Sequence, residues 1–279
     1  MADGLISTRS LIEAMLREDA TIDAGELYAV AEALGMGDQQ VRLAIKRLVT
    51  EGRFTVDGRG RGAVLTATDA TRAGIEPDRA HVRLMYAQDR GEAPWDGVWH
   101  LAGFAVPEAQ REARGALRDA IVALGGAPVQ GGLYASAHAW EDSLRVTART
   151  TGADAYLTTL SCTDLDVGGA RGAAAAARLW PLDELADGHR RLADLATRAL
   201  DRTAEAEHAE RLALTVALVA EFTRAHEPDP LLPPQLLPPD WIGVHARALA
   251  ARAWSALAER EAASPLRLLR WFDAPLQPH

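Results

Sequence analysis

Cysteine is almost absent from these 279 residues. Cys162 stands alone, so no disulfide forms within the chain and no cysteine-based metal centre is assembled. Lysine is equally scarce: of 30 lysines and arginines only Lys46 is a lysine, a skew that points to GC-rich coding rather than to chemistry. No apolar run reaches the roughly 18 residues of a membrane span, and the opening MADGLISTRS has no apolar segment of the kind secretory signals carry. These absences point to a cytoplasmic location with no membrane partner. No internal repeat of solenoid period is present. The eight histidines (His81, His100, His138, His189, His208, His226, His245 and His279) are scattered without an i, i+4 pair or a metalloprotease spacing. The GRGRG run at 58–62 lacks the GK[ST] ending of a phosphate loop. Asp164 and Asp166 supply fewer oxygens than a calcium or magnesium site needs. No cofactor and no metal is expected. Cys162 ends an apolar segment and reads as packing rather than as a nucleophile.

The chain carries a net charge of −9, which excludes a general nucleic-acid coat, yet it contains a basic island. Over 38–62, Arg42, Lys46, Arg47, Arg53, Arg59 and Arg61 face Asp38, Glu51 and Asp57, a local net of +3. Val41, Ala44, Ile45, Leu48 and Val49 recur at helical spacing, with Asp38 in the N-cap position and Gly52 at the stop. Gln39, Gln40, Arg42, Leu43, Lys46 and Arg47 occupy the opposite face. Amides and cations of this kind read base edges and phosphates. Two β-prone runs follow, 53–56 and 63–66, joined by a segment that begins Asp57-Gly58 and carries Arg59 and Arg61. Upstream, 8–17 and 23–34 have helical periodicity. The second is capped by Asp23, with Glu26 in the capping-box position. Three helices and a basic-tipped hairpin predict a winged helix-turn-helix over 1–68. Gln39, Gln40, Arg42, Lys46 and Arg47 would enter the groove of double-stranded DNA, and Arg59 and Arg61 would form the wing.

A polar connector with a helix at 78–87 fills 69–94. From Trp95 the pattern changes to strand 98–106, helix 107–124 and a strand-like stretch 127–136 interrupted at Gly131-Gly132. Helix 140–150 and strand 155–162 follow. This order predicts a ferredoxin-like middle domain over 95–170. Helix 107–124 carries Arg111, Arg114 and Arg118, which would hold anionic phosphates or pair with Glu108, Glu112 and Asp119 as a solvated face. From 171 to 279 the chain reads as an all-helical domain, with helices at 182–206, 209–226 and 241–263. The segment 227–240 holds six prolines and cannot be helical. The tail with Trp271 and Phe272 is expected to pack back onto the body. The whole is α+β. Trp95, Trp99, Trp140, Trp180, Trp241, Trp254 and Trp271 read chiefly as anchors of cores or interfaces.

Three stretches resemble the PaaX family of repressors of phenylacetic acid degradation. They are QVRLAIKRLVTEGRFTVDGRGRGAVLT, WDGVWHLAGFAVPEAQREARGALRDAIVALGGAPVQGGLYAS and DPLLPPQLLPPDWIG. The resemblance implies a repressor with a winged helix, a ferredoxin-like middle domain similar to the small CRISPR-associated nuclease fold, and a helical C-terminal domain. It further implies a homodimer on a palindromic operator, released by an aryl-CoA thioester or a related small-molecule effector. Arg111, Arg114 and Arg118 are then candidate effector contacts. The competing reading is a small-molecule-binding or metal-dependent enzyme on the ferredoxin-like domain, for which the basic island would serve no purpose.

Overall fold

A computed structural model describes residues 6–73 and 79–270. The predicted packing of Trp271 and Phe272 lies outside the described residues. Helix and sheet are mixed, in agreement with the α+β expectation, and the chain divides into two compact units.

The first unit comprises Met1–Tyr86, Gly188–Ala225 and Ile242–His279. Its N-terminal part runs α1 (Thr8–Ala14), β1 (Thr21–Asp23), α2 (Ala24–Ala33), α3 (Asp38–Thr50), β2 (Phe54–Asp57) and β3 (Val64–Ala67). β1 was not anticipated. Its three residues are too few for a period-2 signal, and they pair antiparallel with β3 to give the order β1-β3-β2. Leu11, Ile12, Met15, Ile22, Leu27, Val30, Val41, Leu48, Phe54 and Leu65 are all buried. Asp23 caps α2 as expected, accepting from the Glu26 amide at 2.9 Å. The Glu26 carboxylate does not reach back to close a capping box. It accepts from Arg17 at 3.1 Å and faces His208 at 3.3 Å.

Downstream, α4 (Asp69–Ala73) and α5 (Arg79–Asp89) occupy the connector. The unit also holds most of α9 (Leu182–Thr203) and α10 (His208–His226), together with α11 (Ile242–Arg260). The chain after α11 returns to the N-terminal part: Arg17 bridges Leu266 antiparallel, the Glu18 amide donates to Pro265 at 3.0 Å, and the Arg267 amide donates to Leu16 at 3.0 Å. A charged chain crosses the same unit. Buried Glu261 accepts from Arg211 at 2.5 Å and faces His208 Nδ1 at 2.8 Å.

The second unit, Ala87–Asp187 with His226–Trp241, is built on β4 (Trp99–Phe104), α6 (Arg111–Ala123), β5 (Ala127–Gln130), β6 (Leu133–Ser136), α7 (Glu141–Thr150) and β7 (Leu157–Cys162). The strands form one antiparallel sheet in the order β5-β6-β4-β7. Gly131 and Gly132, both at positive φ, turn the expected bent strand into a two-residue hairpin. The predicted helix 107–124 begins as a separate 3-10 turn, Glu108–Gln110, because Gln110 leaves helical geometry at ψ 41°.

Alternation along β4 puts Ala102 on one face, packed with Ile121 of α6, Leu144 of α7 and Trp140 at the N-cap of α7. Trp99 and Leu101 point to the other face. There α8 (Ala173–Leu179), Trp180, Leu232 and Leu236 cover the sheet. Leu232 and Leu236 belong to the proline-rich stretch, which holds no α-helix but one 3-10 turn, Pro234–Leu236, and this segment covers the second sheet face. Trp95, Trp99 and Trp180 form a ring series, edge-on at 5.2 Å and then stacked at 6.2 Å.

Candidate nucleic-acid interface

The interface is assembled from α3 and the hairpin that follows it. α3 packs against α1, α2 and β2 through Val41 and Leu48, with Ala44 and Ile45 half-buried. Val49, assigned to the buried stripe by its spacing, is 37% exposed because it falls at the end of the helix. The N-cap is Gly37, not Asp38. The helix starts one residue earlier than its capping signal, and Asp38 occupies the first helical position, where its charge still suits the helix dipole. Gly52 stops the helix at φ +69°. The Arg53 amide donates to Leu48 and the Gly52 amide to Val49, the paired closure that a left-handed residue permits.

The hairpin is longer than an Asp-Gly turn. Asp57 and Val64 are the last paired residues, and a 3-10 turn, Gly60–Gly62, packs on α2 between them. The strands themselves are shifted one residue from the sequence expectation. A Cβ on Gly25 of α2 would lie 3.0 Å from the Arg61 carbonyl, so that glycine admits the turn.

The seven predicted DNA contacts divide into two groups. Gln39, Arg42, Lys46 and Arg59 are exposed and make no side-chain hydrogen bond or ion pair among the described residues. The other three are engaged. Gln40 donates to Thr8 Oγ1 at 2.9 Å. Arg47 donates to Glu51 at 2.8 Å, and that hydrogen bond holds the Glu51 carboxyl below the usual carboxylate range. Arg61 lies 3.4 Å from Asp38 and sits over the Tyr28 ring at 5.3 Å. Arg59 is therefore the projecting cation of the hairpin, and Arg61 clamps the hairpin to α2 and α3.

The three arginines of α6 are all on its surface. Arg114 pairs with Glu108 at 2.7 Å and Arg118 with Asp119 at 3.1 Å, while Arg111 makes no ion pair among the described residues. Asp166 accepts from the Gly169 amide and from Arg171, which together hold its carboxyl low; its role is to fix a loop. His100 faces Glu141 at 2.7 Å. Among the described residues no three histidine, cysteine or acidic side chains converge as a metal site, and no helix is long and apolar enough to cross a membrane.

Sequence reasoning missed a cleft of about 760 Å³ within the first unit. It lies between the end of α2 at Leu34-Gly35 and the α9–α10 pair. Arg191 and Arg202 of α9 pair across it with Glu221 at 3.2 Å and Glu210 at 3.0 Å. No local motif announces it, because its walls come from segments more than 150 positions apart.

Comparison with known proteins assigns the class, a transcriptional regulator. The family model for the central Cas2-like domain of the PaaX protein matches residues 92–174, and the model for the PaaX-like C-terminal domain matches 180–264. The chain belongs to the PaaX family, whose members regulate phenylacetic acid catabolism. Among solved structures, the uncharacterized protein Rv0674 from Mycobacterium tuberculosis is similar over 93% of this chain and 99% of its own. Its TM-score is 0.55 and its identity 22%, a likeness of fold. No curated protein sequence matches.

Proposed function

We propose that this chain is a sequence-specific DNA-binding transcriptional repressor released by an aryl-CoA thioester or a related small molecule. The observation that carries the reading is the exposed cationic surface of α3 and its hairpin in a chain of net charge −9. The arrangement α1-β1-α2-α3-β2-β3 supports a winged helix-turn-helix reading, in which α3 is the recognition helix and 58–62 the wing. Gln39, Arg42 and Lys46 enter the major groove, and Arg59 meets backbone or minor groove. Gln40, Arg47 and Arg61 contact DNA after exchanging their present partners.

The second unit's sheet has the split β-α-β order of a ferredoxin-like domain. The proposed boundaries are 1–68, 69–94, 95–170 and 171–279. Arg111, Arg114 and Arg118 are the proposed effector contacts, Arg111 being the one without a carboxylate partner. A homodimer places two α3 helices on half-sites of a palindrome about one helical turn apart, and the effector favours a dimer that no longer fits them.

The test is a mobility shift with DNA flanking the chain's own gene, at two salt concentrations, with and without phenylacetyl-CoA. A specific, salt-sensitive shift abolished by the thioester is expected. Arg42→Ala combined with Arg47→Ala should weaken the shift without unfolding the protein. An unaltered shift in that variant counts against the assignment.

A further inference from the structure

We infer that Leu43 reads thymine: its side chain meets thymine 5-methyl groups in the major groove, making it a specificity-determining residue of α3. This rests on the reading of α3 as a recognition helix. At 59% exposure, Leu43 is the most exposed of the large hydrophobic side chains among the described residues. It lies near the middle of the 13-residue α3 and outside the stripe of Val41 and Leu48 that buries the helix. Residues three and four positions away are its neighbours on the helix surface. Those are Gln39 and Gln40 on one side and Lys46 and Arg47 on the other, with Arg42 adjacent in sequence.

An apolar side chain ringed by amides and cations is a poor surface for water, and a single leucine has too little area to hold a folded partner. The ring selects a polyanion, and the leucine selects an apolar group lying within it. Duplex DNA offers that combination in the major groove. The thymine methyl is the one apolar group on the base edges there, and phosphates flank it. The unengaged amide of Gln39 can pair with the adenine edge that accompanies thymine, so the same patch reads both members of an A·T pair. The acidic side chains nearest this patch are paired with cations, Glu51 with Arg47 at 2.8 Å and Asp38 with Arg61 at 3.4 Å, and none stands three or four positions from Leu43 on α3.

The experiment selects duplexes from a random pool with the full chain, then remakes the selected site with deoxyuridine at each thymine in turn. Uracil keeps every hydrogen-bonding group and lacks only the methyl. The unsubstituted protein should lose about four-fold in affinity at each thymine that Leu43 touches, the equivalent of one buried methyl group. Leu43→Ala should bind the thymine duplex weaker by a similar factor and show no further loss with uracil. Leu43→Met should retain part of the discrimination. Because the side chain is exposed, neither variant should lower the unfolding temperature. Equal binding of thymine and uracil duplexes by the unsubstituted protein overturns the inference and leaves DNA binding standing. A Leu43→Ala variant that keeps full thymine discrimination, or that changes the mass of the particle in solution, also overturns it, the latter by assigning Leu43 to an interface between copies. Failure to enrich any duplex removes the recognition-helix reading and this inference with it.

Discussion

Two positions in the second unit show how much a single residue decides. Gly126 follows α6, and a Cβ there would lie 2.3 Å from Trp140 Cζ3 and 2.8 Å from Ile121 Cγ2, both side chains of the core under the sheet. Neither can retreat, because Trp140 and Ile121 are fully enclosed. Gly126→Ala should therefore destabilise the protein by about 3 kcal/mol, an overpacking cost, read as a lowered midpoint in urea. Glu141 supplies a pH-dependent counterpart. Burial raises its carboxyl, but hydrogen bonds from His100, from its own amide and from the Trp140 amide outweigh burial and hold it below the ordinary range. A depressed carboxyl stabilises the fold above its unfolded value of about 4.5 and loses that contribution as pH falls through the lower folded value. Glu141→Gln should cost about 1 kcal/mol at pH 7, allowing for solvent screening, and less at an acidic pH below the ordinary carboxylate range. Thermal unfolding at the two pH values measures the difference, and an equal cost at both would exclude the ionic contribution.

At the scale of elements, α3 is legible in the sequence because it satisfies several rules together: an apolar period, a first-turn acid and a terminal glycine. β1 was not legible. Thr21–Asp23 has no pattern of its own, and its partner β3 lies more than 40 positions away. The cations of the hairpin were legible as charges and not as partners. Nothing local signals that Arg61 lies over Tyr28 while Arg59 projects, since the sequence does not fold the 60–62 turn back onto α2. The proline-rich stretch forms no α-helix, as expected, though Pro234–Leu236 closes a 3-10 turn; its role over the sheet depends on Leu232 and Leu236 meeting Trp99 and Leu101, contacts across more than 130 positions. The difference between the arginines yields a ranking. Arg59→Ala should weaken DNA binding and reduce the slope of log affinity against log salt by about 0.9, one phosphate contact. Arg61→Ala should reduce the slope less and should also lower the unfolding temperature, because it removes the clamp between hairpin and helices. Titrations at three or more salt concentrations, beside thermal melts, separate the two. Identical slopes and melts for both variants would refute the division.

Over the whole chain, the surface assigned to DNA and the groups that keep it folded are far apart in sequence. The first unit takes in residues up to Tyr86 and then two later stretches, 188–225 and 242–279, so the N-terminal helices share a fold with α11. Glu261, 6% exposed, holds Arg211 and faces His208, whose other ring nitrogen faces Glu26 of α2. Removing that carboxylate leaves a partly buried guanidinium without its counter-ion, a change that costs about 3 kcal/mol. Glu261 lies on none of the elements proposed to touch DNA. Glu261→Ala should therefore leave DNA affinity at 10 °C within about two-fold of the unsubstituted protein. The temperature at which the DNA complex is lost should fall by roughly 6–12 °C, as this stability loss implies for a unit of this size. A binding isotherm taken at intervals from 10 °C upward reads both quantities. A large loss of affinity at 10 °C would show that the Arg211–Glu261–His208–Glu26 chain shapes the DNA surface itself. An unchanged upper temperature would show that the N-terminal helices hold their fold without α11.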